Sequence, residues 1–356
     1  MIEPRFPADA LRTFAADLLQ AVSMPPGMAR DVAEVLVLGD LLGHDTHGLA
    51  LLAPYVDEIR AGHMNLTGAV QVVSDRPAAL CWDGQRLPGP WLVREGMRTL
   101  MPRARELGSA SLVIRRSHHI ACLAAYLLEA AEQGLLMILA SSDPNGGSVA
   151  PFGGTRGIFT PNPIAAGIPA SDGPFLIDIS ASLVTNGLSG RLYKEGRAFG
   201  YDCLLDAQGQ PSRDPAVLFT EPPGSILPLG GVQAGHKGFA LAVLIEALTG
   251  GLAGHGRADP AEGWGATVYL TVLDPEAFGG LAGFTRQTDW LAQACRSNPP
   301  RPGGEAVRMP GDRGLALKRQ QEKSGLRLHP SIAPMLVEKG RQLGVPFPQP
   351  LSGRGR

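Results

Sequence analysis

The chain has 356 residues, more than one average domain needs, with 32 basic and 33 acidic side chains for a formal charge of −1. That balance gives no electrostatic footprint for nucleic acid or an anionic membrane. Glycine (46) and proline (31) are abundant but dispersed, which predicts a loop-rich globular protein rather than a collagenous or disordered one.

Leu11, Phe14, Ala15, Leu18, Leu19 and Val22 recur at helical spacing, predicting a helix over 8–22 that Pro25-Pro26-Gly27 breaks. A second helix is expected over 29–42 and a third over 49–62, so that a helical amino-terminal unit closes near residue 75. Residues 76–326 read as a mixed central region. Ser111–Ile114, Leu135–Ala140, Phe175–Ile179 and Ala266–Val272 read as strands. Ser117 stands where a helix cap would, ahead of a helix over 121–131, and Lys237–Thr249 reads as another helix. Residues 200–235 are rich in turn formers, with Asp206-Ala207-Gln208-Gly209 a turn. A helix over 330–343 belongs to a carboxy-terminal segment, 327–350, before a basic tail at 351–356 that is expected to be disordered.

The chemistry concentrates at His44-Asp45-Thr46-His47-Gly48, a polar, titratable cluster between two apolar runs. Each such group needs a partner when buried, so the cluster is a poor way to build a core. Histidine moves a proton near neutral pH, and Asp45 and Thr46 are placed to orient a ring or a substrate. The plainer reading of His47 is a hydrogen-bonded histidine beside a turn. His44 and His47 are three apart, as in some zinc sites, but Gly43 and Gly48 flank them and no further ligand motif is evident, so no metal is expected. His119 is expected at a helix amino terminus, where the dipole favours the neutral ring. Lys237, in a helix's first turn, opposes the dipole unless an anion binds there. Neither Gly-x-Gly-x-x-Gly after a strand nor a Walker A loop is found. Cys81, Cys122, Cys203 and Cys295 show no CxxC spacing, which suits reduced thiols. With no apolar run long enough to span a bilayer and no leader, a soluble cytoplasmic protein is expected.

Asp45-Thr46-His47-Gly48, followed by Tyr55-Val56-Asp57-Glu58-Ile59-Arg60-Ala61-Gly62, resembles the signature of the malate/L-lactate dehydrogenase type 2 family, usually Asp-Ser-His-Gly and then Tyr-Val-x-x-Ile-x-x-Gly. That family includes ureidoglycolate dehydrogenase, diketogulonate reductase, sulfolactate dehydrogenase and piperideine-carboxylate reductases. Ser117-His118-His119, Ser141-Ser142, Pro151-Phe152-Gly153-Gly154, Thr160-Pro161-Asn162-Pro163-Ile164-Ala165, Asp178-Ile179-Ser180-Ala181-Ser182, His236-Lys237-Gly238 and Pro310-Gly311-Asp312 resemble further family elements in order.

The resemblance implies an α+β (mixed α/β) fold that is not a Rossmann fold. Its central sheet is largely antiparallel, and its amino- and carboxy-terminal helical segments pack together. It implies a cytoplasmic, homodimeric oxidoreductase that uses NAD or NADP to interconvert a small 2-hydroxy acid and its 2-keto acid, or to reduce a 2-imino acid. His47 and His119 are the acid/base candidates, with Asp45 and Thr46 beside them. Ser141, Asn162, Asp178, Ser180, Ser182, His236, Lys237, Gly311 and Asp312 are the cofactor candidates. One departure matters: Leu51 stands where the family commonly has an arginine for the substrate carboxylate. The rivals are a metal-dependent hydrolase using His44 and His47, and a binding protein that has kept the fold and lost the chemistry.

Overall fold

The computed structural model describes residues 4–351; most of the tail expected at the carboxy terminus lies outside the described residues. After β1 (Arg5–Phe6), α1 (Ala8–Gln20) buries Leu11, Phe14, Ala15, Leu18 and Leu19 along one stripe. α2 (Pro26–Leu41) starts on a proline, whose missing N–H costs nothing there, and is buried on nearly every side. A 3-10 turn (Leu49–Leu51) leads into α3 (Leu52–Arg60), so the predicted helices are found with shifted ends.

Next come three elements that sequence periodicity did not reveal: β2 (Gln71–Arg76), β3 (Ala79–Asp83) and α4 (Gly89–Leu107). β2 is exposed throughout and so carries no alternation, while Gly96 and Pro102 interrupt the pattern of α4. β4 (Ser109–Ser117) extends the predicted strand, and α5 (Ala124–Glu132) begins later than expected. Ser117 is therefore the last residue of a strand, not a helix cap, and its Oγ donates to the His118 carbonyl at 2.7 Å.

β5 (Leu136–Ser142), β6 (Pro163–Ile168) and β7 (Phe175–Ser180) follow, then α6 (Asn186–Lys194). The turn-rich stretch holds a small sheet of β8 (Leu204–Leu205), β9 (Pro211–Ser212) and β10 (Ser225–Ile226). The expected turn is present: the Gly209 N–H donates to the Asp206 carbonyl at 3.0 Å. α7 (Gly231–Ala234) and α8 (His236–Glu246) precede β11 (Ala266–Leu273), and α9 (Leu281–Arg296), α10 (Asp312–Ser324), β12 (Leu326–Arg327) and α11 (Ile332–Leu343) complete the described chain.

The large sheet runs β2-β3-β4-β11-β5-β6-β7. Of its neighbouring pairs only β3 and β4 run parallel, so the fold is mixed α/β around a largely antiparallel sheet, as expected. β1 pairs with β12, and Phe347 packs edge-on against Phe6 and Phe14, so the two ends of the chain meet. One apolar core runs from α1 and α2 through the sheet to α11. No helix among the described residues is long and apolar enough to cross a membrane.

Candidate active site

The turn after α2, the segment between β4 and α5, the end of β7 and the start of α6 enclose a pocket of about 390 Å³. His44, Thr46, His47, Leu51, His119 and Ser180 all line it, although they lie far apart in sequence. Enclosure by apolar walls with a few convergent polar groups is the usual setting for a small-molecule site.

The rings of His47 and His119 lie 5.9 Å apart, centre to centre. Thr46 Oγ1 is 2.9 Å from His47 Nδ1, within hydrogen-bond reach of the ring. Burial, with the charges of His44 and Arg191 adding to it, lowers the pKa of His47 to about 4. His119 is likewise held well below the ordinary histidine range by burial first and then by His47 and His118. Its neutrality therefore comes from desolvation and not from a helix dipole: α5 begins only at Ala124, and His119 lies in the extended segment before it. Trp264 lies over the His119 ring at 4.8 Å, and Tyr55 Oη sits 2.9 Å from His119 Nδ1 and 3.0 Å from the His119 carbonyl oxygen.

Asp45 takes a different part from the one expected. Arg191 of α6 donates to its Oδ1 and to its carbonyl, at 2.9 Å each, so Asp45 fastens α6 to the histidine turn. Asp40 of α2 does the work of holding that turn. The Leu49 N–H donates to its Oδ2 at 2.6 Å, and burial pushes its pKa up to about 8. A Cβ on Gly48 would come 2.3 Å from that oxygen, which is why glycine follows His47. Tyr55, Trp264 and Arg191 went unassigned in the sequence because their partners are remote along the chain, and Asp40 because it stands within the apolar run of α2.

Ala121 adopts a left-handed backbone (φ 60°) between His119 and Cys122. Such a conformation strains any L side chain by about 1–2 kcal/mol, part of which the entropy of an unfolded glycine offsets. Ala121→Gly is expected to raise stability by about 0.5–1 kcal/mol in urea denaturation; a loss of stability would show that the methyl group's packing outweighs the strain.

The cofactor candidates separate into groups. Asp178 and Ser180 line the pocket. Ser180 Oγ donates to the Ser182 carbonyl (2.9 Å), and Ser182 Oγ donates to the Val184 carbonyl (2.7 Å). Ser182 also bridges to Pro228, and the Gly238 N–H donates to the Leu229 carbonyl, so exposed His236 and Lys237 at the start of α8 stand beside the exit of β7. Ser141 is buried within β5. Asn162 is buried too, accepting from Thr160 Oγ1 and donating to Glu246, and so supports the loop that carries Pro161 and Pro163. Gly311 and Asp312 lie at the opposite end of β7, against Leu176, with the Asp312 carboxylate engaged by Arg296 and the Met309 N–H. The pair His44 and His47 is not drawn together as ligands: His47 meets Thr46, whereas His44 stands with Cys122 and Asp178.

A mixed sheet flanked by helices, with two histidines in one enclosed pocket, is an arrangement suited to chemistry on a small polar molecule. The chain belongs to the malate/L-lactate dehydrogenase family, whose model matches residues 6–336. It is 30% identical to an L-lactate dehydrogenase of Cupriavidus necator over 95% of this chain and 97% of that one. The structure of malate dehydrogenase from Pyrococcus horikoshii superposes with a TM-score of 0.87 at 27% identity, covering 97% of both chains. That of Δ1-piperideine-2-carboxylate reductase from Pseudomonas syringae pvar. tomato superposes with a TM-score of 0.81 at 25% identity, covering 94% of this chain and 99% of that one. The family is one of hydroxy-acid oxidoreductases, and the fold and the recognised motifs agree with it.

Proposed function

We propose that the protein interconverts a small 2-hydroxy acid and its 2-keto acid, or reduces a 2-imino acid, using NAD or NADP and histidine acid/base chemistry. The observation that carries this reading is the pair of neutral histidines facing one pocket, each fixed by a hydrogen bond on Nδ1. When bound, the nicotinamide supplies or accepts the hydride at the substrate's C2.

The residues present fit such a group. Ile120, Leu123, Pro161 and Pro163 give the pocket an apolar side for a planar ring, while Ser180 and Asn186 offer donors and acceptors for its carboxamide. The first turn of α8, with Lys237, suits a diphosphate through the positive end of the helix dipole and the lysine cation, and no dinucleotide-binding glycine fingerprint is needed for that.

His47 and His119 take different parts. With Nδ1–H donating to Thr46 Oγ1, His47 keeps a lone pair on Nε2 and accepts the hydroxyl proton during oxidation; in reduction it returns that proton. The Ala121 N–H points at His119 Nδ1 (3.3 Å), so the hydrogen of His119 sits on Nε2 and donates to the substrate oxygen. Since a lowered pKa keeps His47 unprotonated well into acid, kcat/KM for oxidation should stay level as pH falls through about 6.5, declining only toward about 4. A profile that breaks at the ordinary histidine value would contradict this assignment.

Exposed Val243, Leu244 and Leu252 along α8 and the turn beyond it suit a second copy, and a dimer mass in sedimentation is the expected result. The reading is tested by nicotinamide absorbance with NADH or NADPH and a panel of 2-keto and cyclic 2-imino acids. Turnover supports it. No oxidation of either nucleotide, with no nucleotide binding, overturns it.

A further inference from the structure

We propose that His44, Cys122 and Asp178 form a three-ligand site for one divalent transition-metal ion, zinc by preference, whose fourth position opens into the pocket and takes the substrate carboxylate. One candidate ligand atom from each of the three residues lies within 4.8 Å of the others, and Cys122 Sγ is 3.9 Å from Asp178 Oδ2. Imidazole, thiolate and carboxylate are the donors that zinc takes, and three protein ligands with an open fourth position are the usual count for a reactive zinc site. Tetrahedral bonds of about 2.0–2.3 Å put ligand atoms roughly 3.3–3.7 Å apart, so the three must close by about 1 Å, within reach of side-chain rotation.

The ligands come from three separate elements: the turn after α2, the segment between β4 and α5, and β7. Their backbones are fixed independently. The His44 N–H donates to the Gly39 carbonyl at 2.8 Å, Asp178 lies in the β6–β7 ladder opposite Ala165, and the Ala124 N–H holds Asp178 Oδ2 at 2.9 Å. Cys122 is only 2% exposed and all three line the pocket. A hydrogen-bonded trio is the plainer reading, but it gives Asp178 only a thiol and one backbone amide while leaving its carboxylate facing the pocket.

The cation also answers a question about the pocket. Among the described residues that line it there is no lysine or arginine, and Leu51 occupies wall space where a cation would serve. A substrate carboxylate entering beside Asp178 would meet a like charge. A divalent ion held by thiolate and carboxylate cancels that repulsion and offers a coordination position to a carboxylate oxygen. This second half rests on the hydroxy-acid reading above; the metal site itself does not.

The full chain, freed of metal with a chelator, is titrated with cobalt(II) and followed by absorbance. One equivalent should bind, with thiolate-to-cobalt charge transfer in the near ultraviolet and visible bands of tetrahedral intensity, and zinc should displace it. Cys122→Ser should abolish the charge-transfer band and weaken binding by at least about 100-fold, beyond the effect of losing an outer partner. His44→Gln should keep the band and lose at least about tenfold in affinity. No charge-transfer band in the wild-type chain overturns the site, as does unchanged cobalt affinity in a folded His44→Gln chain. Circular dichroism shows whether each variant is folded, and His44→Gln decides the matter if Cys122→Ser is not. L-lactate or malate should then shift the visible bands of bound cobalt; no shift refutes the carboxylate position. Cobalt binding without nicotinamide turnover would leave the metal site standing and remove the hydroxy-acid reading.

Discussion

His47→Gln is expected to lower kcat/KM by about 10²–10⁴-fold, the usual worth of a positioned acid/base group. Glutamine nearly fills the same space, and its amide can still meet Thr46 Oγ1, so the turn held by Asp40 should stay in place. What is lost is the basic nitrogen. Nucleotide affinity should therefore stay at the wild-type value while the chemical step slows, and this separates lost proton transfer from lost folding. His119→Gln is expected to cost less, because an amide N–H can still donate where the Nε2–H of the imidazole did. A larger loss at His119 than at His47 would exchange the two assignments.

The second large effect is expected behind the pocket wall, at the backbone that carries His119. A Cβ on Gly89 would lie 2.3 Å from the His118 carbonyl oxygen and 2.4 Å from that of His119. Both obstacles are backbone, so no rotamer change relieves them, and either α4 or the histidine segment must move. Overpacking of this kind costs about 3 kcal/mol. His119 hangs on the displaced segment, and a shift of about 1 Å in a reacting group costs roughly 10²-fold in rate. Gly89→Ala should thus lower both the urea midpoint and kcat/KM. Stability within about 0.5 kcal/mol of wild type would contradict this close packing.

These two sites show what could be read from the sequence. His47 and Thr46 are neighbours in the chain, and their bond follows from a short motif between two apolar runs. The one-sided helices α1 and α3 and the apolar strands β5, β7 and β11 were legible because burial imposes a period. α4 was not, since Gly96 serves its close approach to Leu112 and Leu270 of the sheet and exposed Pro102 stands inside the helix, both against helix propensity. β6 was missed for a similar reason: it starts on Pro163 and carries small residues where α5 crosses it.

The environment of His119 was legible only in part. The ring was identified, but its neutrality was ascribed to a helix terminus that lies further on, whereas Tyr55, 64 positions away, and Trp264 enclose it. Asp45 shows the same limit. Its carboxylate is engaged by Arg191, 146 positions away, and no local pattern announces such a pairing. Contacts between distant segments decide which polar residues of a motif face the pocket and which tie the scaffold together.

The most direct test uses a 2-hydroxy acid deuterated at C2. The protein is incubated with this compound and NAD or NADP, and the reduced nucleotide is analysed by mass spectrometry. One deuterium per reduced nucleotide is the predicted result, with formation slowed about 10²–10⁴-fold in His47→Gln. Reduced nucleotide without deuterium, or no reduction across lactate, malate and their close relatives, would contradict hydride transfer from C2.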